Sequence, residues 1–313
     1  MTKPIEDKLD KIPLVNIVVR FLKRFKLPGL EGLSFYDLLE LYITGIVKGA
    51  LTTRASAIAF SFFTAIFPFL LFVLIIIPYV PIDDFKIEFL QFLESFLPAS
   101  TSDFFFKNIF ENIDQTQRGG LLSSVFILSI LLMANGVNAV FSGFENSYHE
   151  QLTRNVFKQY LYALGIALIL AFLLIITIIV LGYIQIYVVQ ELLSALENRG
   201  YEVDSDGVFW AGVVKYVFFV IMVYIATATL YYFGTREGRD SKFFSIGAIF
   251  TTLLIMVTSY LFGIYIENFG QFNKLYGSIG ALLILLLYLW LNANILLLGY
   301  ELNASLNKLR KNV

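Results

Sequence analysis

The sequence predicts an all-α fold: a polytopic membrane protein of six transmembrane helices with amphipathic interfacial helices, both termini being cytoplasmic. Three observations predict it. Of 313 residues, 58% are hydrophobic and only 15% charged, with a mean hydropathy of +0.75, a balance that soluble domains do not reach. The apolar residues fall in six long runs, at about 55–79, 121–144, 157–187, 208–233, 243–266 and 279–302. Each has at least the ~20 residues that a helix needs to cross a bilayer. Lys and Arg gather before residue 55 and at 154–158, 236–242 and 308–311, while the other connections hold only Lys86, Lys107, Arg118, Arg199 and Lys274. The positive-inside rule then puts both ends in the cytoplasm.

Residues 1–54 read as a cytoplasmic and interfacial segment, 55–302 as the membrane domain and 303–313 as a basic cytoplasmic tail. No apolar run lies near the start as a cleavable signal would require, so the first span is expected to act as an uncleaved insertion signal. Ser34 to Leu51 spaces its apolar residues helically around Asp37, Glu40 and Lys48, a pattern for a helix lying flat on the membrane surface.

The first span opens at Arg54 and then runs on without charge. Thr53, Ala57, Ser61 and Ala65 recur at every fourth position, a small-residue face that another helix can approach closely. Pro68 removes a backbone donor in mid-span, which predicts a local distortion. The external connection 81–120 carries two phenylalanine-rich amphipathic runs divided at Pro98. Exposed to water, such runs would be an aggregation hazard. Resting on the outer membrane surface and packing against neighbouring helices both remain open.

In the second span Asn135, Asn138, Ser142 and Glu145 form a polar stripe on an otherwise apolar helix. Amides facing lipid are costly, so the stripe is expected to face protein or water, as an interhelical seam or as the wall of a polar cavity. The third span exceeds a bilayer's thickness and calls for tilt. In the fourth, Lys215 lies near the outer leaflet, within reach of Glu267 at the end of the fifth. The last span carries Asn292, Gly299 and Asn303 on one face, with Asn294 and Glu301 nearly opposite. A helix polar on two faces is expected to sit centrally. Arg54, Glu145 and Glu301 all belong at the cytoplasmic end, so Arg54 can pair with either carboxylate or each can snorkel alone.

The chain has no Cys and one His, which excludes disulfides, thiolate sites and a multi-histidine metal site. Without a GxxxxGK[ST] loop, ATP is not the direct energy source. No metal, cofactor or enzymatic activity is expected.

RASAIAFSFFTAIFP (54–68) and YGSIGALLILLLYLW (276–290) followed by LLLGYELNA (296–304) resemble the first-span and closing motifs of the YihY/BrkB family. Phe60 stands where that motif carries tyrosine. The resemblance implies a bacterial inner-membrane protein of a family linked to serum resistance, proposed to act in transport and once labelled ribonuclease BN. Nuclease chemistry needs grouped metal-binding carboxylates or histidines and a basic surface for phosphates, a pattern this sequence lacks. The function expected is a transporter or lipid-handling protein with a polar cavity between spans one, two and six. Its cavity candidates are Ser61, Pro68, Asn135, Asn138, Ser142, Asn292 and Asn294. The alternative is a scaffold without transport activity. Expected partners are membrane lipids and an amphiphilic or lipid-like substrate, with no nucleic acid; a homo-oligomer is left open.

Overall fold

In the computed structural model, the described residues are 50–76, 119–147, 150–151, 155–184, 205–234, 243–269 and 278–311, with short stretches between 19 and 43. The external connection 81–120 lies almost wholly outside them, as does most of the surface helix expected at 34–51. What is described of the N-terminal segment doubles back. Lys26 and Ser34 form an antiparallel bridge, Phe35 N–H donates to Phe25 O at 3.0 Å, and the Lys23 ammonium lies 4.8 Å over the Tyr36 ring.

Among the described residues six helices follow: α1 (Leu51–Ile76), α2 (Gly119–Glu145), α3 (Val156–Tyr183), α4 (Ser205–Gly234), α5 (Ile246–Phe269) and α6 (Ser278–Lys311). Each coincides with one of the apolar runs. α1 stays helical through position 68 to Ile76, and one boundary, the end of α6, differs. The proline's missing donor falls where the helix can lose one hydrogen bond without losing its course. The segment expected as a separate tail is the last part of α6, which continues to Lys311.

Between α2 and α3 a two-residue pair, β1 (Asn146–Ser147) and β2 (Glu150–Gln151), turns the chain. Asn155 then caps α3, its side chain accepting from Phe157 N–H at 3.1 Å and supplying one of the acceptors that a helix start lacks.

The helices pack in chain order, α1 on α2, α2 on α3 and so on round to α5 on α6, and α6 closes the ring against α1. Their directions alternate. The start of α1 meets the ends of α2 and α6 through Arg54, Gly143 and Glu301. The end of α2 meets the start of α3 through Ser142 and Gln159, and the start of α5 meets the end of α6 through Gly247 and Asn303. The inner position belongs to α2, which touches α1, α3, α4 and α6; α6 is not central. Its two polar faces serve its two ring neighbours, Glu301 turned to α1 and Asn303 to α5.

The core of the closed end is aromatic. Phe141 and Phe144 are fully buried. Phe144 stacks on Tyr300 at 4.2 Å between ring centroids and meets Tyr231 edge-on at 5.6 Å. The outside is a belt of exposed apolar residues, among them Phe172, Trp210, Phe219, Leu253 and Leu261. A ring of helices that leaves so much hydrocarbon uncovered is built for a lipid solvent. Five of the helices are long and apolar enough to cross a membrane; α1, taken over Leu51–Ile66, counts as a shorter apolar helix.

Candidate functional site

The strongest polar contact begins in the first turn of α1. Arg54 Nη2 donates to Glu301 Oε1 at 2.9 Å, and Nη1 donates to the carbonyl of Gly143 at 2.7 Å. The two side chains are 9% and 3% exposed, so the pair is shielded by protein. Gly143 lies in the last turn of α2, where carbonyls have no partner further along the helix and carry the negative end of its dipole. One guanidinium thereby ties α1, α2 and α6 together. Glu301 is one of the two partners that the sequence allowed. Above the clasp the three helices meet without a gap. A methyl at Gly143 would stand 2.9 Å from Ile58 Cδ1 and 3.2 Å from Leu297 Cδ2.

That packing fills the crossing of α1, α2 and α6 around Gly143. A cavity of about 410 Å³ lies between α1, α2 and α3. Its walls are Phe62, Ala65 and Ile66 of α1, Met133 and Val137 of α2, and Ala167, Leu170, Ala171 and Leu174 of α3. Among the described residues no polar or charged side chain contributes. Eleven residues of α1 separate Arg54 from Ala65, about 16 Å of rise, so the cavity sits well along the bundle from the clasp. Small residues create it: alanines at 65, 167 and 171 stand where larger side chains would meet.

The polar candidates are spread over different surroundings. Asn135 is exposed and Asn138 half-buried, contrary to the expectation that both face the interior. The reason lies in the opposite face of α2, where Met133, Val137, Val140 and Phe144 occupy the core; at 100° per residue, the asparagines cannot also point there. Ser142 accepts from Gln159 Nε2 of α3 at 3.2 Å, so this member of the stripe is a seam. Asn292 and Asn294 donate to carbonyls of their own helix, Tyr288 O at 2.8 Å and Trp290 O at 2.7 Å. Ser61 is half-buried, and its carbonyl accepts from Thr64 Oγ1 at 3.0 Å. Of the small-residue face, Ala65 is buried against α2 while Thr53 and Ala57 are exposed. Glu145 and Lys215 are half-buried. The side chains of Glu267 and Pro68 lie outside the described residues, and with them the Lys215–Glu267 pair.

A second network joins α4, α5 and α6. Tyr231 Oη donates to Leu296 O at 2.7 Å and lies 2.6 Å from Thr251 Oγ1. Asn303 Oδ1 accepts from Gly247 N–H at 2.8 Å, and its Nδ2 donates to Ser245 Oγ at 2.8 Å. Further along, Ser259 and Tyr288 share a 2.7 Å hydrogen bond. Sequence reasoning noted Gly299 and Asn303, but not their partners. The available signal was a polar residue one turn beyond each glycine, Thr251 after Gly247 and Asn303 after Gly299.

An all-helical ring with lipid-facing sides, interior polar ties and helices of spanning length defines a multi-pass membrane protein. The chain belongs to the Virulence factor BrkB family, whose model matches residues 43–313. It is similar to the Putative ribonuclease-like protein YfkH of Bacillus subtilis (strain 168), 26% identical over 259 residues, which cover 83% of this chain and 91% of that protein. A UPF0761 membrane protein of Psychrobacter sp. (strain PRwf-1) is 29% identical over 133 residues, 42% of this chain and 24% of that one. A UPF0761 membrane protein of Xanthomonas axonopodis pv. citri (strain 306) is 36% identical over 64 residues, 20% of this chain and 15% of that one. No solved structure matches.

Proposed function

We propose that this protein handles lipid in the bacterial inner membrane, holding the apolar tail of an amphiphilic substrate in the cavity between α1, α2 and α3. The observation that carries this reading is the lining. A cavity of about 410 Å³ falls in the range of ligand pockets, yet its described lining offers no fixed polar group of the kind that orients a polar solute. Hydrocarbon is the ligand chemistry that such walls favour, and a membrane supplies it at high concentration. The Lys and Arg distribution puts the clasped end in the cytoplasm. The reading is non-enzymatic, and the ribonuclease-like name belongs to the Bacillus relative.

The scaffold reading has its own observation. The Arg54 clasp and the Tyr231 and Asn303 networks all join helix to helix, as a rigid assembly platform would require. One experiment separates the two. A lipid with a photoreactive group on its acyl chain, reconstituted with the protein, is expected to label Met133 or Leu170. Ala171→Phe, which fills the cavity, should remove most of that labelling and slow lipid movement in vesicles. Labelling confined to the outer belt, unchanged by Ala171→Phe, favours the scaffold.

A further inference from the structure

Asn135 and Asn138 stand out because nothing among the described residues accounts for them. Asn135 is exposed, Asn138 is half-exposed, and neither amide makes a hydrogen bond among the described residues. Asn135 lies ten residues before the end of α2 at Glu145, about 15 Å along the helix and thus near the middle of a ~30 Å hydrocarbon layer. The membrane-crossing part of this helix, Ile127–Glu145, has the residue near its centre. An amide left in acyl chains at that depth is strongly disfavoured.

The neighbours on the same face supply the rest. Leu128 and Leu131 are 53% and 43% exposed. Leu128, Leu131, Asn135 and Asn138 follow one another at steps of three, four and three. That alternation is the seam of a helix pair, and a single asparagine at such a position sets register and partner number. We propose that this face of α2 binds the same face of a second copy of the chain, forming a two-fold dimer inside the membrane. Two copies inserted in one orientation are related by an axis along the membrane normal, so their α2 helices run parallel and equal residues meet at equal depth. Asn135 then faces Asn135 of the second copy. A carboxamide both donates and accepts, so the pair satisfies itself, and polar side chains are the recognised adhesive between helices in lipid.

The absence of native cysteine makes the test direct. Leu131→Cys and, separately, Leu128→Cys are oxidised in native membranes, with Phe172→Cys on the exposed face of α3 as the control. Facing positions of a parallel pair bring Cα atoms within the ~4.4–6.8 Å that a disulfide requires. The expected result is a crosslink of twice the chain's mass from both α2 variants and not from the control. Adding Asn135→Leu to Leu131→Cys should lower the yield about three- to tenfold, the equivalent of one or two interhelical hydrogen bonds; Asn135→Gln should restore part of it. Three results overturn the proposal: α2 yields no higher than the control's, a crosslinked species of another mass, or a yield indifferent to Asn135→Leu. Because Asn135→Leu replaces an exposed amide by an apolar side chain, an intact monomer peak in detergent separates lost association from lost folding.

Discussion

Arg54 occupies the first turn of α1, where the positive end of that helix's own dipole disfavours a cation. Its position is therefore held by its partners, Gly143 O and Glu301, and each partner depends on it in turn. Removing one member of a buried ion pair leaves the other charged without compensation, which costs about 3–5 kcal/mol. Arg54→Ala is expected to lower the melting temperature in detergent by several degrees. Glu301→Gln keeps an acceptor oxygen and should lower it less. The double variant should lose clearly less than the two single losses together, because members of one network are not additive. Strictly additive losses in that cycle would show that the two groups act independently.

At the scale of helices, α5 and α6 approach each other closely at Gly247 and Gly299. A methyl at Gly299 would collide with Thr251 Oγ1 and stand 2.5 Å from Tyr231 Oη and 2.9 Å from Gly247 O. One at Gly247 would run into Gly299 O and stand 2.6 Å from Asn303 Cγ. Neither backbone can give way without parting the helices and breaking the Tyr231 and Asn303 hydrogen bonds. Gly299→Ala is expected to destabilise by at least the ~1–3 kcal/mol typical of overpacking, read as a lower melting temperature. Gly263→Ala on the same α5 meets nothing within 4 Å and should leave it unchanged or slightly raised, since alanine is the better helix former. Equal losses at the two positions would mean that backbone freedom, and not close approach, is what glycine supplies. Hydroxyls elsewhere serve their own helices. Thr177, Thr229 and Thr252 each donate to the carbonyl four residues back, which lets a polar residue sit in a membrane helix without a partner elsewhere.

For the whole molecule, the alternating ring makes one end polar-tied and aromatic-filled and leaves the apolar cavity farther along. The start of α1 and the end of α6 share the tied end through a 2.9 Å contact. Single cysteines at Arg24 and Lys308 are therefore expected to be shielded alike from a membrane-impermeant thiol reagent in intact cells, and to react alike once the inner membrane is opened. Reaction at one site and not the other in intact cells would break the alternating arrangement.

Apolar runs and charge placement determined the element type, the approximate place of each helix and the alternating course, because hydrocarbon demands long helices with satisfied backbones and this requirement is written locally in the chain. That Arg54, Glu145 and Glu301 return to one depth was legible too, but the choice of Glu301 as the partner was not. Which way each helix turns was decided only by tertiary packing. Asn135, Asn138 and Ser142 share a stripe in sequence, yet one is exposed, one is half-buried and one is tied to α3, because the large residues Met133, Phe141 and Phe144 claimed the interior side of α2. The cavity was hidden for the same reason. It arises where alanines from α1 and α3 happen to oppose each other, and opposition between helices so far apart in the chain leaves no periodic mark on either.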